Sequence, residues 1–162
     1  MKRYFSRQSG TRIYRIRNTW LEALRIYILT ISVSNLVWEF AHLPLYEFWQ
    51  TASPRELAFA ALHCTGGDIL IGSSSIMIAL LVVGENRWPA RGHRRVFYLT
   101  LLIGFFYTVF SEWLNIEVRQ AWAYSELMPV IPVLNMGLSP ALQWVLIPSL
   151  AYRLALGGRN QH

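Results

Sequence analysis

The chain carries one cysteine in 162 residues, Cys64, so no disulfide can close within it and cysteine usage says nothing about the redox compartment. Cys64 stands inside an apolar run and is expected to serve as a small packing residue. Charge is also scarce: Asp, Glu, Lys and Arg make up 15% of the residues against 54% hydrophobic ones, which excludes an ordinary soluble domain. There is no internal repeat and no low-complexity tract, so one compact domain is expected. A small-x-small cleavage site is missing after the first apolar stretch, which is longer than a signal h-region and is expected to stay in place as a span.

What the chain does have is apolar runs of about 20 residues, the length a helix needs to cross a bilayer. They predict spans over residues 26–48, 56–84, 96–116 and 140–156. Ser53 and Pro54 suit the start of the second helix. Pro89 and Gly92 mark the loop at residues 85–95, and Pro129, Pro132 and Gly137 interrupt residues 117–139. The predicted fold is all-α, a four-transmembrane-helix bundle at residues 26–157, with a basic arm at 1–25 and a tail at 158–162.

Orientation follows from the fifteen Lys and Arg residues. All lie in the arm, the 85–95 loop or the C-terminal end except Arg55 and Arg119, so the positive-inside rule predicts both termini in the cytoplasm. The same bias accounts for the net charge of +6 and lets the arm rest on anionic lipid headgroups. Topology already demands that charge, so a nucleic-acid partner is not expected.

Against this apolar background stand Glu39, His42, His63 and Glu112, ionisable groups that are rare at membrane depth because their burial there costs several kcal/mol. Counting at 1.5 Å per residue puts all four, with Gln143, in the outer half of the membrane, and Asp68 nearer its middle. Asn35, Glu39, His42 and Tyr46 follow a helical spacing, as do Thr108, Glu112, Asn115 and Arg119. Lipid offers such stripes no hydrogen-bond partner, so they are expected to face each other or a shared cavity. On the second span His63 and Asp68 point about 140° apart, five residues at 100° each. Gly66-Gly67 between them would either bend the helix or permit tight packing.

The segment after the third span carries Trp122 and Tyr124 before Pro129. It reads either as an interfacial aromatic belt or as a folded-back lid over the cavity.

Three chemistries fit these residues. Glu39-x-x-His42 is half of the motif that helical bundles use for metals, and with His63 and Glu112 it would ligate a single divalent ion through N and O donors. As general acids and bases, Glu39 and Glu112 would donate protons that His42 or His63 accept, with Asn35, Asp68, Asn115, Trp122, Tyr124 and Gln143 shaping the substrate pocket. As a packing device, Glu112 would pair with Arg119 or a histidine and lock helix register.

The strings Trp38-Glu39-Phe40-Ala41-His42-Leu43-Pro44-Leu45-Tyr46, His63-Cys64-Thr65-Gly66-Gly67-Asp68, Ser111-Glu112-Trp113-Leu114-Asn115 and Gly137-Leu138-Ser139-Pro140 with Gln143-Trp144 resemble a group of small bacterial polytopic membrane proteins of unassigned activity. That resemblance implies a bacterial cytoplasmic (inner) membrane. An acid on one helix, followed by Trp-x-Tyr and a Pro-flanked apolar helix, is similar to membrane carotenoid cyclases and hydratases. Their flanking glycines and paired acids are missing here, so this likeness bears on chemistry alone. The expected function is proton-transfer catalysis on a lipid or isoprenoid; a proton- or cation-binding transport or sensing subunit and a scaffold are the alternatives.

Overall fold

The computed structural model describes residues 19–157, so most of the basic arm and the whole tail lie outside the described residues. Four long helices dominate: α1 Thr19–His42, α2 Pro54–Val83, α3 His93–Trp113 and α4 Leu138–Gly157. Helix α1 packs against α2 and α4, and α3 packs against the same two, so the helices close a ring in chain order. Two short antiparallel strands, β1 Val130–Ile131 and β2 Met136–Gly137, form a small hairpin ahead of α4.

Local chemistry sets the boundaries. Helix α1 starts at Thr19, well before the expected residue 26, so the end of the predicted arm is helical. It stops at His42 because Pro44 has no N–H to donate and its ring would crowd the carbonyl of Phe40. The chain then continues as 3-10 turns over Leu43–Leu45 and Glu47–Gln50, where the sequence predicted helix to residue 48. Helix α2 opens on a capping box: Ser53 Oγ accepts from the Glu56 N–H, and the Glu56 carboxylate accepts from the Ser53 N–H at 2.8 Å. It closes at Gly84, whose φ of +61° is a left-handed cap that suits glycine.

Three stretches are long and apolar enough to cross a membrane: Trp20–Leu45, Pro54–Val83 and His93–Val118. Their outward faces carry Leu29, Val33, Val37, Leu70, Leu81 and Phe106, all at least half exposed, the inverse of a water-soluble surface. By this measure the chain is a membrane protein. Helix α4, expected as a fourth span, is not among the three. Its residues Ser139, Pro140, Gln143, Trp144, Pro148 and Tyr152 lower its hydropathy, and most of them are buried against other helices.

The interior has two halves of different character. At the end where α1 begins and α2 finishes, Tyr27, Ile31, Ile76, Ala79, Val96, Ile147 and Ala151 form a dry hydrophobic core. Trp88 Nε1 donates to Tyr152 Oη at 2.9 Å, and that hydroxyl donates to the His93 carbonyl at 2.6 Å. Three buried hydroxyls are satisfied within their own helices: Thr65, Thr100 and Thr108 donate to the carbonyls of Ala61, Val96 and Gly104 one turn back. Gly104 lets α3 and α4 touch, since a Cβ there would lie 2.6 Å from the Trp144 ring. The opposite half is polar.

Candidate functional site

The polar half is built around one amide. Gln143, buried on α4, places Nε2 2.9 Å from Asn35 Oδ1, 2.8 Å from Glu39 Oε1 and 3.0 Å from Asp68 Oδ2. A carboxamide nitrogen has two hydrogens, so it serves two of these three acceptors at a time. The Glu39 and Asp68 carboxyls are thus gathered on a single nitrogen, one from α1 and one from α2. Two carboxyls gathered on one nitrogen suit an acid and an acceptor better than two like charges. Asn35 donates to the Ile31 carbonyl at 2.9 Å, which fixes its oxygen toward Gln143.

His42 extends the network. Its Nε2 lies 3.0 Å from Glu39 Oε2, one turn away on the same helix face, and its Nδ1 lies 3.1 Å from Ser139 Oγ. Ser139 Oγ accepts from Trp38 Nε1 at 3.2 Å, which leaves its own hydrogen for His42 Nδ1. With the Ser139 hydrogen on His42 Nδ1, the imidazole hydrogen lies on Nε2 and is directed at Glu39. Glu39 and His42 are only 6% and 7% exposed, so the pair is shielded from bulk solvent.

Glu112 approaches from α3 and accepts a hydrogen bond from Tyr124 Oη. The same phenol oxygen accepts from the Gly137 N–H at 2.9 Å. A Cβ at Gly137 would sit 2.9 Å from Met128 Sδ and 3.1 Å from Tyr124 Cζ, so glycine is what admits the ring. Burial, and then the neighbouring Glu112 carboxylate, push the Tyr124 hydroxyl above its ordinary range, which keeps it a donor. Glu112 therefore rests on Tyr124, and the packing partner expected in Arg119 is replaced: the Arg119 guanidinium donates instead to Asn115 Oδ1 at 3.3 Å.

Immediately after Glu112 the helix widens into a π turn, Leu114–Val118, where the Arg119 N–H reaches the Leu114 carbonyl at 2.8 Å. Single π turns occur often at functional sites because the extra residue re-aims side chains. The following segment folds back over the site. Tyr124 pairs with Tyr46 in an antiparallel bridge, with Glu47 N donating to Ala123 O at 3.1 Å and Ser125 N to Leu45 O at 2.9 Å. Of the two readings open for this segment, the folded-back one describes its path. The bridge also explains Tyr46. It lies past the end of α1 in extended backbone, not on the helical stripe, yet its ring stays 5.3 Å from that of His42.

These elements enclose a cavity of about 850 Å³ lined by Glu39, His42, His63, Asp68, Glu112, Asn115, Trp122 and Gln143 among others. Asn35 and Tyr124, expected to shape the pocket, stand behind its wall and hold Gln143 and Glu112. His63 lies at the mouth, exposed and stacked on Phe59 at 5.8 Å. Helix α2 runs unbroken through Gly66 and Gly67, and a Cβ on either would meet nothing within 4 Å. The glycine pair therefore interrupts no helix and makes no close approach to a neighbour among the described residues. Gly67 instead leaves part of the cavity wall without a side chain. Cys64 lies on the same wall.

Among the described residues no three His, Cys, Asp or Glu side chains are grouped to hold a metal ion. The set Glu39, His42, His63 and Glu112 is divided because His63 stays at the rim and Glu112 is held by Tyr124. Sequence reading passed over Ser139, Trp38 and Gly67 as site residues. Ser139 and Gln143, one turn apart on α4, were the signal for a polar face on that helix. Comparison with protein-family models, curated proteins and solved structures finds no match.

Proposed function

We propose that this chain is an intramembrane proton-transfer enzyme acting on a lipid or isoprenoid substrate in a bacterial cytoplasmic membrane. The observation that carries the reading is that Gln143 gathers the Glu39 and Asp68 carboxyls on one nitrogen where they open on the cavity. A pair that shares a proton can give it to an alkene, carbonyl or leaving group and take one back. His42, oriented by Ser139, accepts or resupplies the proton through Glu39, and Glu112 is a second carboxyl facing the same space. Asp68 thus joins Glu39 in the central role that sequence reading gave to Glu39 and Glu112 together.

The cavity mouth supports a lipid-soluble substrate. Phe59, Leu70 and Tyr107, on the facing sides of α2 and α3, line it and are at least half exposed where the two helices would meet hydrocarbon. The one-sided build favours catalysis over transport, since beyond Asp68 the polar groups give way to the dry core around Ile31, Ile76 and Ile147. In this account α4 is the fourth span of a bundle with both ends cytoplasmic, and the polar half faces outward.

The test is a comparison of total lipid extracts from cells carrying the wild-type chain, Glu39→Gln or Asp68→Asn, each at matched membrane abundance. A lipid species whose level depends on both carboxyls is the expected result. Extracts that are identical across all three would remove the enzyme reading.

A further inference from the structure

The cavity has a polarity along its length that the acid/base groups do not explain. By chain position, Thr51, Ala52, Arg119 and Trp122 line its outer end, next to the start of α2 and the end of α3, while Asp68 and Gln143 lie toward the core. Arg119 is the only Lys or Arg among the described residues lining it. Its side chain is tethered by the bond to Asn115 Oδ1, which uses part of a guanidinium that has five N–H donors. Beside it in the chain, Trp122 has its indole N–H buried with no hydrogen-bond partner. Arg119 also stands against the charge bias of the sequence, being one of two basic residues expected on the outer side.

We infer that the substrate is an amphiphile with an anionic phosphate or carboxylate head, bound by Arg119 at the outer rim beside the Trp122 ring, with its apolar chain running between α2 and α3 toward Asp68. This rests on the proposed function for the identity of the site and adds the class of molecule. Placing the charge at the rim keeps the anion away from Glu39, Asp68 and Glu112, which would repel it; Glu56, which lines the same end, is engaged by the Ser53 N–H and hydroxyl. It also directs the hydrocarbon part past the Phe59, Leu70 and Tyr107 side chains to the carboxyl pair.

Binding separates this from the chemistry. Farnesyl phosphate, farnesol and inorganic phosphate are titrated against purified protein in detergent, with the Glu39→Gln variant run in parallel. Farnesyl phosphate should bind at least about tenfold more tightly than farnesol, the worth of a charged hydrogen bond, and equally well to Glu39→Gln. Arg119→Gln should erase the preference, Arg119→Lys should keep part of it, and Gly67→Phe should weaken both farnesyl ligands by filling the wall. Equal binding of the alcohol and the phosphate overturns the inference, as does a preference that survives Arg119→Gln. Inorganic phosphate binding as tightly as farnesyl phosphate also overturns it, by assigning the rim to a free anion. If the predicted binding holds while lipid extracts stay unchanged, the proposed reaction falls and the amphiphile site stands.

Discussion

Replacing a carboxyl by its amide separates chemistry from packing at single residues. Glu39→Gln keeps an oxygen for the Gln143 N–H and offers His42 a partner of the same shape, and Glu112→Gln still accepts from Tyr124. Both variants are expected to unfold in detergent within about 1 kcal/mol of wild type and to lose function in a cellular complementation assay. Gln143→Leu should behave differently, because Asn35, Glu39 and Asp68 would all lose the donor between them. A loss of roughly 3 kcal/mol in the same unfolding measurement is expected, from buried acceptors left unpaired. Tyr124 adds a pH signature. Its raised hydroxyl favours the folded state below the ordinary phenol range near 10.0, and that contribution is lost as pH rises toward the folded value. Tyr124→Phe should therefore flatten the alkaline fall in stability, as read by unfolding across that window.

At the scale of elements, two glycines make opposite predictions. Gly104→Ala puts a Cβ 2.6 Å from the Trp144 ring at the α3–α4 contact and should cost about 1–3 kcal/mol in detergent unfolding. Gly67→Phe meets nothing near its Cβ, so stability should hold while the cavity narrows and activity drops. The polar faces Asn35–Glu39–His42 and Thr108–Glu112–Asn115 were legible because a helix repeats every 3.6 residues, and the period alone puts such residues on one face. Tyr46 broke the pattern because Pro44 ends the helix first, a signal that was present in the sequence. The link from Asp68 to Gln143 was not legible. It joins α2 to α4 across 75 positions of chain and depends on how the helices are rotated, which no local spacing encodes. The Tyr46–Tyr124 bridge was hidden for the same reason, whereas Pro129 and Pro132 did announce that residues 117–139 fold back.

For the whole molecule, the proposal joins the charge bias to the two-part interior: the hydrophobic half would face the cytoplasm with the basic residues, and the polar half would receive a lipid from the outer side. Cysteines introduced at Arg91 and at Glu126, in a Cys64→Ala background, should be labelled by an impermeant maleimide from opposite faces of intact cells, with Glu126 reached from outside. Reversed labelling would invert the orientation and move the site to the inner leaflet. The central claim is that the carboxyl pair moves protons to and from a lipid. Purified protein is incubated in D2O with the lipid extract of its own membranes, and the lipids are read by mass spectrometry for deuterium bound to carbon. Incorporation into one lipid class by wild type, absent with Glu39→Gln and with Asp68→Asn, is the predicted result; incorporation that is absent in wild type, or equal in all three, would contradict it.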